Sequence, residues 1–70
     1  MEEVFIRDEF IKLGQAMKLA GAAETGAHAK DVIVNGEVTV NGVTETRRGK
    51  KLVPGDTFCC AGKEYRIARR

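Results

Sequence analysis

This chain of 70 residues has little of what secreted domains and catalytic sites are usually built from. It has no tryptophan, one histidine, one proline, and two cysteines that sit side by side, Cys59 and Cys60. Adjacent cysteines bridge each other only through a strained ring and cannot staple distant segments. A small secreted domain would carry more of them. The expectation is two reduced thiols on a strand, one pointing in and one out, with a thiol switch as the alternative. One histidine and two cysteines, with no Cys-x-x-Cys spacing, make no tetrahedral zinc site. No metal and no cofactor is expected. No apolar run approaches the roughly 18–20 residues that cross a bilayer. The start, Met1-Glu2-Glu3, is acidic and lacks the basic-then-apolar order of a signal peptide, so a cytoplasmic location is expected. There is no Ser/His/Asp order, no paired carboxylates and no phosphate-loop glycine pattern, and no enzymatic activity is expected. Phe5, Phe10, Phe58 and Tyr65 are spread over separate segments and read as core. That disfavours a single-strand binder, which needs exposed stacking rings.

What is present fits a small globular fold. Hydrophobic residues make up 43% and charged residues 31%, which excludes a disordered chain and matches an ordinary soluble domain. The length allows one domain, residues 1–70, with a core that has little stability to spare. The net charge of +2 conceals an asymmetry. Residues 1–31 hold six acids and four bases, whereas residues 32–70 hold four acids and eight bases. Half of those eight lie in one run, Arg47-Arg48-Gly49-Lys50-Lys51. A concentrated basic patch attracts polyanions, usually nucleic acid. The alternative is a solvated loop without a partner.

The periodicities place the elements. Val4-Phe5-Ile6 is strand-like. Asp8 is positioned to cap a helix in which Phe10, Leu13, Met17 and Ala20 form a buried stripe, with Ile11, Gln15 and Leu19 as a weaker one. Gly21 ends that helix. Thr25 caps a second, whose apolar face is Ala29, Val32 and Ile33 and whose stop is Asn35-Gly36. Glu37 to Val40 alternates with period two. Asn41-Gly42 is a type I′ hairpin signal and brings back Val43 to Thr46, with Val40 opposite Val43. The basic run follows as a loop. Pro54-Gly55 suits a type II turn. Thr57–Cys60 and Glu64–Ala68 read as two further strands joined around Gly62. The predicted fold class is α+β: two short packed helices against a small, mainly antiparallel sheet of about four to five strands.

This order of elements resembles the RNA-binding domain named after small-subunit ribosomal protein four, with its paired helices known as the alpha-L motif. The resemblance spans about residues 10–58. It is carried by Lys12-Leu13, Met17-Lys18-Leu19-Ala20-Gly21, Thr25, Ala29-Lys30, Ile33, Gly36, Val38, Val40-Asn41-Gly42 and Pro54-Gly55-Asp56. Residues 46–56 look most like the small stand-alone YbcJ-type members. The family often opens its first helix with Arg-Leu-Asp, where Lys12-Leu13-Gly14 stands here. It often opens the second with Ser-Arg and continues to Ala-Arg. Here that is Thr25-Gly26, then Ala29-Lys30, so Lys12 and Lys30 keep bases and Gly26 lacks one. The resemblance implies a non-catalytic module on structured RNA, ribosomal or transfer RNA. It further implies a bacterial module that acts as a monomer and associates with the ribosome.

The chemistry of RNA contact selects the same residues. Double-stranded RNA is read through its shape, phosphates and 2′-hydroxyls, which calls for cations and backbone donors. Thr25 and Gly26 open a helix whose free N–H groups and dipole favour an anion, and Gly26 allows close approach. Lys30 lies one turn on, along the same side. His28 is either a donor to phosphate or a half-buried surface ring. Arg47 and Arg48 offer planar forks, and Lys50 and Lys51 offer point charges. Phosphate contacts alone do not separate RNA from DNA. The alternative to RNA binding is a protein-interaction adaptor whose basic loop meets an acidic protein, with ribosomal proteins among the candidates.

Overall fold

The computed structural model describes residues 1–70. The architecture is α+β. The elements are β1 (Glu2–Ile6), β2 (Ile11–Lys12), α1 (Leu13–Leu19), α2 (Gly26–Val34), β3 (Val38–Val40), β4 (Val43–Thr44), β5 (Lys51–Leu52), β6 (Thr57–Cys60) and β7 (Lys63–Arg69). Five strands form one sheet in the order β1-β7-β6-β3-β4, and β2 pairs with β5 in a separate ribbon. All pairings are antiparallel except β1 with β7, which is parallel, with Val4 opposite Ile67 and Ile6 opposite Arg69.

Alternation along the strands decides which face is buried. Val4 and Ile6, Tyr65 and Ile67, Phe58 and Cys60, and Val38 and Val40 point inward. They share one core with Leu13, Ala16 and Met17 of α1, Ala29 and Ile33 of α2, Ala23 and Leu52. Phe58 and Tyr65 are cross-strand partners whose rings stack with centroids 4.9 Å apart. Cys60 is buried and Cys59 half-buried, so the two thiols face opposite sides of β6. No helix is long and apolar enough to cross a membrane.

Both helices end in the same device. Ala22 N–H bonds to the Met17 carbonyl and Gly21 N–H to that of Lys18, and Glu37 and Gly36 repeat the pattern on Val32 and Ile33. Gly21 and Gly36 both have φ of 77°, which is the left-handed residue of a Schellman stop. Asn41 and Gly42, with φ of 51° and 84°, turn β3 into β4 and set Val40 opposite Val43. The Pro54-Gly55 turn is closed by Asp56 N–H on the Val53 carbonyl at 2.9 Å.

The start of α1 corrects the sequence reading. Asp8 caps nothing; the helix begins at Leu13, with Lys12 in the capping position and no side-chain cap. Ile11, expected on the helix, instead pairs with Leu52 in the β2–β5 ribbon. Phe10 falls outside the helix and is 40% exposed, so it is not a core residue. Phe5 is 50% exposed for a different reason: it lies between Val4 and Ile6 on the outward face of an edge strand. The returning strand is also shorter than its alternation implied, Val43–Thr44 rather than Val43 to Thr46: Glu45 N–H makes one more ladder bond, to the Val38 carbonyl, and the Glu45 carboxylate then takes the Arg47 N–H and turns the chain into the loop.

Candidate nucleic-acid interface

The basic loop, residues 45–50, does not hang free. Its carbonyls supply the cap that α1 lacks. Leu13 N–H donates to the Lys50 carbonyl at 2.8 Å, and Gly14 N–H donates to the Arg48 carbonyl at 3.1 Å. Two orphan donors of the first helical turn are thereby satisfied from 34 or more residues away in sequence, a service a neighbouring side chain usually performs. The same contact lays the Arg48 side chain over Gly14. A methyl group on Gly14 would fall 2.7 Å from Arg48 Cγ, closer than two carbons approach without displacement.

Between α1, the start of α2 and the loop lies a solvent-open groove of about 290 Å³. It is lined by Lys12, Gly14, Gln15, Lys18, Gly26, Arg48 and Gly49. Three of these are cations and none is acidic or hydrophobic. Such a lining has no platform for a base and every provision for an anion. Gly26 stands at the N-terminal end of α2, where helix donors and dipole add to the positive potential. Nothing lies within 4 Å of where a Gly26 side chain would start, so the groove stays open there.

Lys12, Gly26 and Arg48 therefore meet in the groove. Thr25 sits beside it as the cap of α2, its Oγ1 accepting from His28 N–H at 3.0 Å. His28 is exposed rather than half-buried, and its Nδ1 accepts from Glu24 N–H at 3.3 Å. An accepting Nδ1 leaves the ring proton on Nε2. Lys30 is exposed on α2, outside the groove lining. Lys50 is half-buried where its carbonyl meets α1. Lys51 is paired across the ribbon with Lys12, and its Nζ lies 4.7 Å from the centroid of the Phe10 ring. Like charges set directly opposite each other are unfavourable in a ladder, and the cation–π contact offsets part of that cost.

Arg47 differs from the other members of the run. Its Nε and Nη2 bond to the two carboxylate oxygens of Glu45 at 3.0 and 3.2 Å. The Arg47 side-chain hydrogen bonds, helped by its backbone N–H, push the Glu45 carboxyl down to about 2, and the pairing raises the Arg47 guanidinium in turn. Burial pushes the Cys60 thiol up, which keeps it protonated and a poor nucleophile.

Sequence reasoning missed Gly14, Gln15, Lys18 and Gly49 as groove residues. Lys18 left a signal: it is a cation four residues after Gly14, hence on the same helical side. Gly14 left one only as a departure from the Arg-Leu-Asp pattern, and its reason is spatial.

The S4 domain family model matches residues 4–68. The chain belongs to the S4 domain family. YbcJ of Escherichia coli (strain K12) is 40% identical over 57 residues, covering 81% of each chain. RlbA of Bacillus subtilis (strain 168), named a probable ribosome maturation protein, is 43% identical over 53 residues, 76% of this chain and 75% of its own. The solution structure of YbcJ is described as revealing an alpha-L motif involved in RNA binding. It matches this fold with a TM-score of 0.75 at 35% identity, over 97% of this chain and 87% of that one. In this S4 domain the two helices of the alpha-L motif are α1 and α2, the walls of the groove.

Proposed function

We propose that residues 1–70 act as a single, non-catalytic module that docks on structured RNA in the cytoplasm, with the groove between α1 and α2 holding the phosphate backbone. The observation that carries this reading is the groove's lining: Lys12, Lys18 and Arg48 converge on it with no acid and no apolar side chain among its seven residues. Lys51, opposite Lys12 in the ribbon, and the exposed Lys30 of α2 add to the positive charge of the surface. The family membership and the RNA-binding motif named for the YbcJ structure support RNA as the polyanion. The name of RlbA supports ribosomal RNA over transfer RNA.

The reading is tested by titrating a labelled RNA hairpin and a matched DNA duplex with wild type and with Lys12/Lys18/Arg48→Ala. Preference for the RNA, most of it lost in the triple variant, supports the proposal. Taking about 0.9 per neutralised phosphate, the log–log salt slope should be roughly −3 to −4. Equal weak binding to both, unchanged by the substitutions, refutes it and favours an acidic protein partner instead.

A further inference from the structure

Arg47 opens the basic run, yet its charge is already engaged. Glu45 takes its Nε and Nη2, and Glu45 Oε2 also accepts the Arg47 backbone N–H at 3.0 Å. The Glu45 side chain is only 13% exposed, while that of Arg47 is 71% exposed. The acid is thus tucked beneath the loop with the guanidinium lying over it. On one side Glu45 is anchored to β3 through its N–H on the Val38 carbonyl at 3.0 Å. On the other, the Arg47 carbonyl accepts Lys50 N–H at 3.2 Å, and the carbonyls of Arg48 and Lys50 accept the first N–H groups of α1. An unbroken line of hydrogen bonds runs from the sheet through Glu45 and Arg47 to the wall of the groove.

We propose that Glu45 is a positioning residue for the groove: with Arg47 it forms a strut that holds the loop against α1, so that Arg48 lies across Gly14. The inference rests on the groove being the RNA site. Arg47 then acts on the shape of the loop and is not itself a phosphate ligand. A carboxylate beside a polyanion site ordinarily weakens binding by repulsion. Here the bidentate fork cancels that charge locally and fixes the geometry. The two descriptions differ in sign. If Glu45 merely masks Arg47, removing the acid frees a cation and tightens binding. If it positions the loop, removing the acid weakens binding although the net charge rises by one.

The test compares Glu45→Gln, Arg47→Ala, the double variant and Arg47→Lys, using hairpin affinity and amide hydrogen exchange at Leu13 and Gly14. Glu45→Gln should weaken hairpin binding by roughly threefold to tenfold, and the double variant should lose no more than either single one, as coupled neighbours do. The Leu13 and Gly14 amides should exchange faster in each variant. Arg47→Lys keeps the charge but not the fork, so it should show the same loss without any change of net charge. It also answers the question should Glu45→Gln fail to fold. Unchanged or tighter binding in Glu45→Gln, with both amides still protected, overturns the proposal. If Lys12/Lys18/Arg48→Ala binds the hairpin like wild type, the groove reading is what has failed. Amide exchange needs no RNA, so it still decides whether Glu45 holds the loop: protection retained in Glu45→Gln overturns the strut.

Discussion

The Asn41 side-chain amide donates to the Asp56 carboxylate at 3.1 Å, joining two turns that lie 15 residues apart. Asn41 Oδ1 in turn accepts Thr57 N–H at 3.0 Å, and the other Asp56 oxygen accepts Val53 N–H at 2.9 Å. Asn-Gly and Pro-Gly-Asp each read as a local turn signal. In space they clamp the base from which residues 43–53 project. The root of the positive loop is thus held by an amide and a carboxylate that lie outside the basic run.

That clamp is open to a direct measurement. Asn41→Gly keeps access to the positive φ of 51° but deletes the side-chain bonds. It should destabilise the fold by about 1–2 kcal/mol, the usual cost of losing such bonds. Asn41→Ala should cost a further ~1 kcal/mol for the left-handed backbone. Urea denaturation of the three chains checks both steps, and equal midpoints would show that the clamp is idle.

Gly14→Ala separates stability from binding. The new methyl must displace the Arg48 stem, whose Cγ would be 2.7 Å away, whereas the Arg48 carbonyl at 3.7 Å has room. Alanine is favoured over glycine within a helix by up to ~1 kcal/mol, so the melting temperature should hold or rise. Hairpin affinity should fall to the level of Arg48→Ala, and Gly14→Ala/Arg48→Ala should be no worse. A Gly14→Ala chain that binds like wild type would remove Arg48 from the groove's working parts.

Gly26 offers a gain. Its side-chain position is empty to 4 Å and faces the groove. Gly26→Lys should tighten RNA binding and steepen the log–log salt slope by about 0.9, one more phosphate neutralised. A steeper slope without tighter binding would mean the added cation meets phosphate outside the docked geometry.

The Glu45–Arg47 pair sets a pH dependence. The folded Glu45 carboxyl lies at about 2, below its ordinary value of 4.5. A depressed carboxyl contributes stability that is complete above the ordinary value and is lost as pH falls through the folded one. The pair's hold on the loop should be complete at neutral pH and weaken between about pH 4.5 and 2. NMR titration of the Glu45 carboxyl carbon, read beside the Gly14 amide, measures this. A midpoint near 4.5 would contradict the pair.

How much of this was legible in the sequence depends on the range of each contact. Thr25, Gly36 and Asn41-Gly42 act on backbone a few residues away, and the elements they bound fell where their chemistry placed them. α1 was misread because its cap comes from Arg48 and Lys50, partners that no local pattern announces. Phe10 and Ile11 matched a helical stripe, but pairing with Leu52 outcompeted another turn of helix. Phe5 lies in the unbroken apolar run Val4-Phe5-Ile6, which does not say which of a strand's two faces is buried. In the candidate site, the cations could be counted in advance. That Arg47 is tied to Glu45, and that Lys18 joins Lys12 and Arg48 around one groove, needed the fold.

The parallel pairing of β1 with β7 has a consequence for how the molecule comes into being. Synthesis makes β1 before every other element of the sheet, and its one neighbour there spans residues 63–69. Until the ribosome has released that stretch, Val4 and Ile6 have no strand to lie against, whatever the helices and the β3–β4 hairpin have already achieved. Contacts this distant along the chain close slowly and leave an apolar edge exposed meanwhile. The acids Glu2 and Glu3, which end as ion-pair partners of Lys63 and Arg66, spend that interval as the charged guard of an unpaired strand.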